Sequence, residues 1–98
     1  MRFAWDNEKN RQNAAKHKVS FESASRIFSD PRQVSFRDDF GEQERWLTLG
    51  LLDGAVVLLV VHTVQEGDDE ETIRIISARK ATKNERKKYE DPYGDERF

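Results

Sequence analysis

Cysteine is absent from this chain, which excludes disulfide staples and thiolate metal sites together. Apolar residues are scarce: 36 % are hydrophobic against 37 % charged, on the polar side of ordinary globular chains. No long hydrophobic run occurs. The longest, Ala55–Val61, falls far short of the roughly 20 residues a membrane span needs. The opening RFAWDNEK lacks the apolar core of a secretory signal, so a reduced cytoplasm and no membrane contact are expected. An excess of one charge is also missing. With a net charge of −2, any case for nucleic-acid binding has to rest on local patches. Walker loops, GxGxxG and nucleophile elbows do not occur. The two histidines, His17 and His62, stand far apart with no spaced acidic partner, so no zinc pattern forms. The DDEE run lacks the glycine and ligand spacing of a calcium loop. No metal and no cofactor are expected.

What is present fits one small domain over residues 1–98, with a frayed acidic tail over about 91–98. The apolar residues cluster in periodic blocks, which argues against global disorder. Phe3 and Trp5 alternate as an edge strand. Asp6 or Asn7 caps a very polar helix, NEKNRQNAAKHK, whose only apolar side chains are Ala14 and Ala15. Ser20 caps a second helix with Phe21, Ala24, Ile27 and Phe28 on one face, stopped before Pro31. Val34 and Phe36 mark a brief strand, and the polar loop DDFGEQE follows it.

The clearest signal is ERWLTLGLL-DG-AVVLLVVHTV, a hairpin turning at Asp53-Gly54. A two-residue turn pairs Leu52 with Ala55, Leu49 with Leu58 and Arg45 with His62. Val56–Val61 reads as a central strand covered on both faces. An acidic loop then leads to the strand Thr72–Ala78, and Thr82-Lys83-Asn84-Glu85 spells a capping box for a last helix. The class is α+β, with an antiparallel sheet of about four strands, two N-terminal helices and one C-terminal helix.

Positive charge gathers where the last strand meets the last helix. From Thr72 to Glu90 seven Lys or Arg stand against Glu85 and Glu90, a local balance of +5. Arg45 opposite His62 joins a guanidinium, which grips phosphate through a planar fork, to an imidazole that moves protons near neutral pH. The bland alternative is that both simply meet solvent at the open end of the hairpin. If Arg74 also faces His62, a row of Arg45, His62 and Arg74 crosses the sheet. Regular alternation puts Arg79 on the opposite face from Arg74 unless the strand bulges. The capping box accounts for Glu85, and a helix C-terminus accounts for His17, as readily as catalysis does. Lys83 and its neighbours read equally well as a solvated face.

Taken in order, FAWDNEKNRQNAAKHKVSFESA, FSDP, ERWLTLG, VVHT and RIISARKATKNERKKYE resemble the BrnT family of toxins. The likeness runs from Phe3 to about Tyr89. It implies a RelE-like fold and a bacterial, cytoplasmic, metal-independent endoribonuclease that inhibits growth. It also implies neutralisation by a BrnA-like ribbon-helix-helix antitoxin, with operator DNA bound only through that complex. On this resemblance the catalytic candidates are Arg45, His62 and Arg79, helped by Lys80 and His17, with Arg74 and Lys83 on the RNA. A non-catalytic protein- or RNA-binding module of the same fold is the alternative. Two features depart from the family. Lys18 stands where glycine often follows KH, and the acidic loop Glu66–Glu71 is awkward for an enzyme that binds a polyanion.

Overall fold

The computed structural model describes residues 1–38 and 44–93; most of the DDFGEQE loop and the end of the acidic tail lie outside them. The elements in chain order are β1 (Arg2–Ala4), α1 (Asn7–His17), α2 (Phe21–Ser25), a 3-10 turn (Arg26–Ser29), β2 (Val34–Asp38), β3 (Arg45–Leu52), β4 (Val56–Gln65), β5 (Thr72–Lys80) and α3 (Lys83–Glu90). None of the described helices is long and apolar enough to cross a membrane.

The five strands form one sheet in the order β1-β5-β4-β3-β2. The expectation of about four antiparallel strands is corrected to a mixed sheet of five, because β1 pairs with β5 in parallel. The connection from β1 to β5 runs through the rest of the fold, so no local turn signal marks that pairing.

Each helix starts where its cap dictates. Asp6, Ser20 and Thr82 accept from the amides of Lys9, Ser23 and Glu85, and the Thr82–Glu85 capping box is complete. Lys18 ends α1 at φ 62°, in the left-handed region, where a Cβ makes the glycine-type ending strained.

Central β4 is buried on both sides. On one face Leu58 and Val60, with Ile73, Ile75 and Ala78 of β5, pack under Val19, Phe21, Ala24 and Ile27. On the other, Leu49, Val57 and Leu59 meet Tyr89 of α3. There Tyr89 donates its hydroxyl to the Asp30 carboxylate at 2.5 Å, while farther along the same face Arg45, Val61, Thr63 and Ser77 are only half-buried and Arg74 is exposed, which leaves that part of the face open.

Helix α1 has no apolar stripe to bury. Its one buried residue is Asn13, and the reason lies at the edge of β5. Beyond the end of β1, β5 has no neighbouring strand, and the Asn13 amide takes that place. It donates to the Ala78 carbonyl at 2.8 Å and accepts from the Ala78 amide at 3.2 Å. One side chain thus supplies the rung a further strand would have given.

Candidate active site

Two irregularities in the sheet decide which side chains meet. The first is the hairpin turn. Asp53 and Gly54 both have positive φ, 52° and 70°, and Ala55 donates to the Leu52 carbonyl at 3.0 Å. The ladder, however, resumes with Leu52 opposite Val56 and Leu49 opposite Leu59. Ala55 is therefore an extra residue in the turn. The expected pairs are displaced by one, and His62 faces Trp46, not Arg45. A shift of one also exchanges faces.

His62 consequently lies in the helix-covered core, 3 % exposed. Its Nε2 sits 2.7 Å from the Thr48 hydroxyl, which is 2.8 Å from that of Ser35. The Phe28 ring stands edge-on at 4.9 Å. Burial pushes the imidazole below its ordinary pKa, opposed by the Thr63 backbone. The expected Arg45–His62–Arg74 pocket is thus not formed, and a neutral core ring cannot meet a phosphate on the other face.

The second irregularity is a bulge in β5. Val61 pairs with Ser77 and His62 with Ile75, leaving Ile76 extra. Regular alternation would part Arg74 from Arg79. The bulge reunites them: Arg74 pairs with Thr63, Ser77 with Val61 and Arg79 with Leu59, all odd-numbered β4 positions on the face away from α2. Continuing the β3–β4 register places Arg45 across from Thr63. A row of Arg45, Thr63 and Arg74 therefore crosses the open half of the sheet, one residue along from the expected row.

Beside this row α1 presents Lys9, Gln12, Asn13 and Lys16, at the i, i+3, i+4, i+7 spacing of one helical face. With His17, Ile76 and Ser77 they line a groove of about 210 Å³. Lys9, Lys16, Ser77 and Thr63 were not among the sequence candidates. The spacing along α1 was a usable signal for the lysines; nothing local marks the bulge that turns Ser77 toward them.

The remaining candidates divide. Arg79 is committed, donating to both Glu85 oxygens at 2.8 and 3.0 Å and to the Lys80 carbonyl. That pairing, followed by the cap hydrogen bonds, holds the Glu85 carboxyl down to about 2. Arg45 approaches Asp38 at 3.6 Å, beyond hydrogen-bond length. Lys80 pairs with Leu58, an even-numbered position, so it points to the opposite face from Arg79. Lys83 is exposed at the first turn of α3. Among the described residues no cluster of three or more metal-ligating side chains occurs.

A family model described as "Ribonuclease toxin, BrnT, of type II toxin-antitoxin system" matches residues 5–85. The 1.1 Å crystal structure of the Brucella abortus ribonuclease toxin BrnT superimposes with a TM-score of 0.63. It is 24 % identical, over 85 % of this chain and 99 % of that one. An identity that low speaks for the fold alone. No curated protein matches the sequence. The family match spans both the hairpin and the bulge that build the open face, and on its extent this chain belongs to the BrnT family of ribonuclease toxins of type II toxin–antitoxin systems.

Proposed function

We propose that the chain is a metal-independent endoribonuclease of RelE-like fold. Its site is the open half of the sheet, flanked by α1. The observation that carries this reading is the Ile76 bulge, which sets Arg74 and Ser77 on the face beside the groove that holds His17 and Lys16.

RNA brings its own nucleophile, the 2′-hydroxyl. In the cleavage step that hydroxyl loses its proton, the O2′–P bond forms, the P–O5′ bond breaks, and the departing 5′-oxygen takes up a proton. The protein has to hold the phosphodiester, stabilise negative charge on the phosphoryl oxygens and exchange the protons. Arg74 and Lys16 carry the charge, with Arg45 at the far end of the row. His17 replaces His62 as proton carrier, since it lines the groove and His62 does not. Arg79, its fork taken by Glu85, contributes field and not a direct grip.

Family membership implies a cognate antitoxin and an RNA target. A BrnA-like ribbon-helix-helix antitoxin, operator binding through the complex and a cytoplasmic setting belong to the same proposal. One observation favours the non-catalytic alternative: the guanidiniums of Arg45 and Arg79 each face a carboxylate, as in a surface that binds without reacting. Incubating purified protein with RNA in EDTA separates the two. Cleavage supports the enzyme; intact RNA together with tight antitoxin binding supports the module.

A further inference from the structure

The far end of the sheet, on the face that carries α2, has features the ribonuclease reading does not use. Four large hydrophobic residues are exposed among the described residues: Met1, Phe3, Val64 and Tyr93. Two of the four, Phe3 and Val64, come together there. Phe3 pairs with Ile73 and Ile73 with Val64, so one apolar row runs across β1, β5 and β4. Phe3 and Val64 are 36 % and 38 % exposed, and Ile73 between them is buried. Phe3 leans on Phe28 at 5.6 Å, which fixes its ring. Half-buried Trp46, across from His62 on β3 and so diagonal to Val64 on the same face, lines a depression of about 340 Å³ with Val64, Glu44 and Glu66.

The rim of this patch is acidic. Glu44, which already faces the Arg37 guanidinium at 3.6 Å, and Glu66 stand at the depression, and the loop to β5 adds Asp68, Asp69, Glu70 and Glu71. Glu70 is neutralised by the Met1 amine and Arg2, at 2.8 and 2.9 Å. Glu66, Asp68, Asp69 and Glu71 are exposed and make no ion pair among the described residues. An apolar patch of fixed aromatic and branched side chains within a polar rim is the form of a protein contact. The uncompensated acids set the sign of the partner. They repel nucleic acid and favour lysine and arginine.

We infer that the Phe3–Val64–Trp46 patch with its acidic rim docks a basic, amphipathic segment of the antitoxin. Apolar side chains enter between Val64 and Trp46, and lysines or arginines meet Glu44, Glu66 and the loop acids. The inference rests on membership of a toxin–antitoxin family and not on the cleavage chemistry. It also accounts for acids that fit poorly with RNA: Glu44 and Glu66 stand beside Val64, on the reverse face from Arg74 and Ser77, and the loop acids follow at that end of the sheet.

The test uses the full chain and its purified cognate antitoxin, with affinity measured by calorimetry. Val64→Lys and Glu66→Lys change exposed side chains and leave the core untouched. Each is expected to weaken binding at least 10-fold, with the parent's affinity falling as salt rises. Arg74→Ala, on the reverse face, serves as the reference for a substitution outside the patch, and Val64→Lys is expected to weaken binding more than it does. Equal affinity of parent, Val64→Lys and Glu66→Lys overturns the proposal. So does sedimentation showing a parent dimer that Val64→Lys converts to monomer, since a second copy would then cover the patch. RNA cleavage by the same variants separates the two readings. Cleavage with unchanged antitoxin affinity sinks the docking surface alone; lost affinity with no cleavage by any form sinks the ribonuclease alone.

Discussion

Glu85 holds both terminal nitrogens of Arg79, at 2.8 and 3.0 Å, and the oxygen at 2.8 Å also accepts the Thr82 amide. One carboxylate thus closes the capping box of α3 and fixes the last arginine of β5. Replacing it by the isosteric Glu85→Gln keeps the cap geometry and removes the charge. The side chains are 25 % and 38 % exposed, so solvent screening reduces what the pKa shift alone would suggest. The expected loss is about 1–2 kcal/mol in denaturant unfolding.

The pH dependence of that contribution has a definite sign. The folded carboxyl sits near 2, below its ordinary 4.5, so ionisation favours the folded state. The stabilisation is complete above about pH 4.5 and fades as the pH falls toward 2. A Glu85→Gln variant should show a flatter stability profile across that window.

His62 titrates in a separate window. Its folded pKa lies below 6.5 because burial disfavours the charged ring, so the unfolded chain takes up the proton first. Stability is then present above pH 6.5 and declines as the pH falls below it. Thermal melts between pH 7.5 and 5 should show this slope in the parent and not in His62→Gln. The same variant should retain activity within a few-fold wherever it remains folded.

Asn13 should behave as part of the sheet. Asn13→Ala removes its bonds to both Ala78 backbone groups and to the Val19 carbonyl at 2.9 Å. With those groups left unpaired, a loss of about 2–3 kcal/mol is expected. Hydrogen exchange at the Ala78 amide should accelerate more than at Val60, in the middle of the sheet.

Lys18 offers the reverse experiment. Its φ of 62° costs an L-residue roughly 1–2 kcal/mol, partly offset by the greater unfolded freedom of glycine. Lys18→Gly should therefore stabilise by about 0.5–1 kcal/mol and raise the melting temperature by roughly 3–6 °C.

Periodicity and capping chemistry carried most of the fold. The Thr82–Glu85 box, the Ser20 cap, the central strand Val56–Val61 and the turn at Asp53-Gly54 were legible because each is set by neighbours in sequence. Register was not. Whether Ala55 belongs to the turn or to β4 depends on packing, and that one residue moves His62 from the Arg45 row to the core. The Ile76 bulge escapes local reading for the same reason. It is visible only once β4 fixes both Ser77 and Ile75. The parallel strand β1 likewise depends on a partner some seventy residues away. Of the candidate site, the residue types were readable and their faces were not: Arg74 and Arg79 share a face against expectation, and His17 lines the groove while His62 is buried on the other face.

The central claim is that RNA reacts on the open face of the sheet, with His17 as the proton carrier and Arg74 on the phosphate. Single-turnover cleavage of RNA in EDTA, with folding checked by circular dichroism, tests it most directly. His17→Ala and Arg74→Ala should each slow cleavage by about 10²-fold or more, while His62→Gln stays within a few-fold of the parent. Folded His17→Ala cleaving at the parent rate, or folded His62→Gln losing all activity, would contradict it.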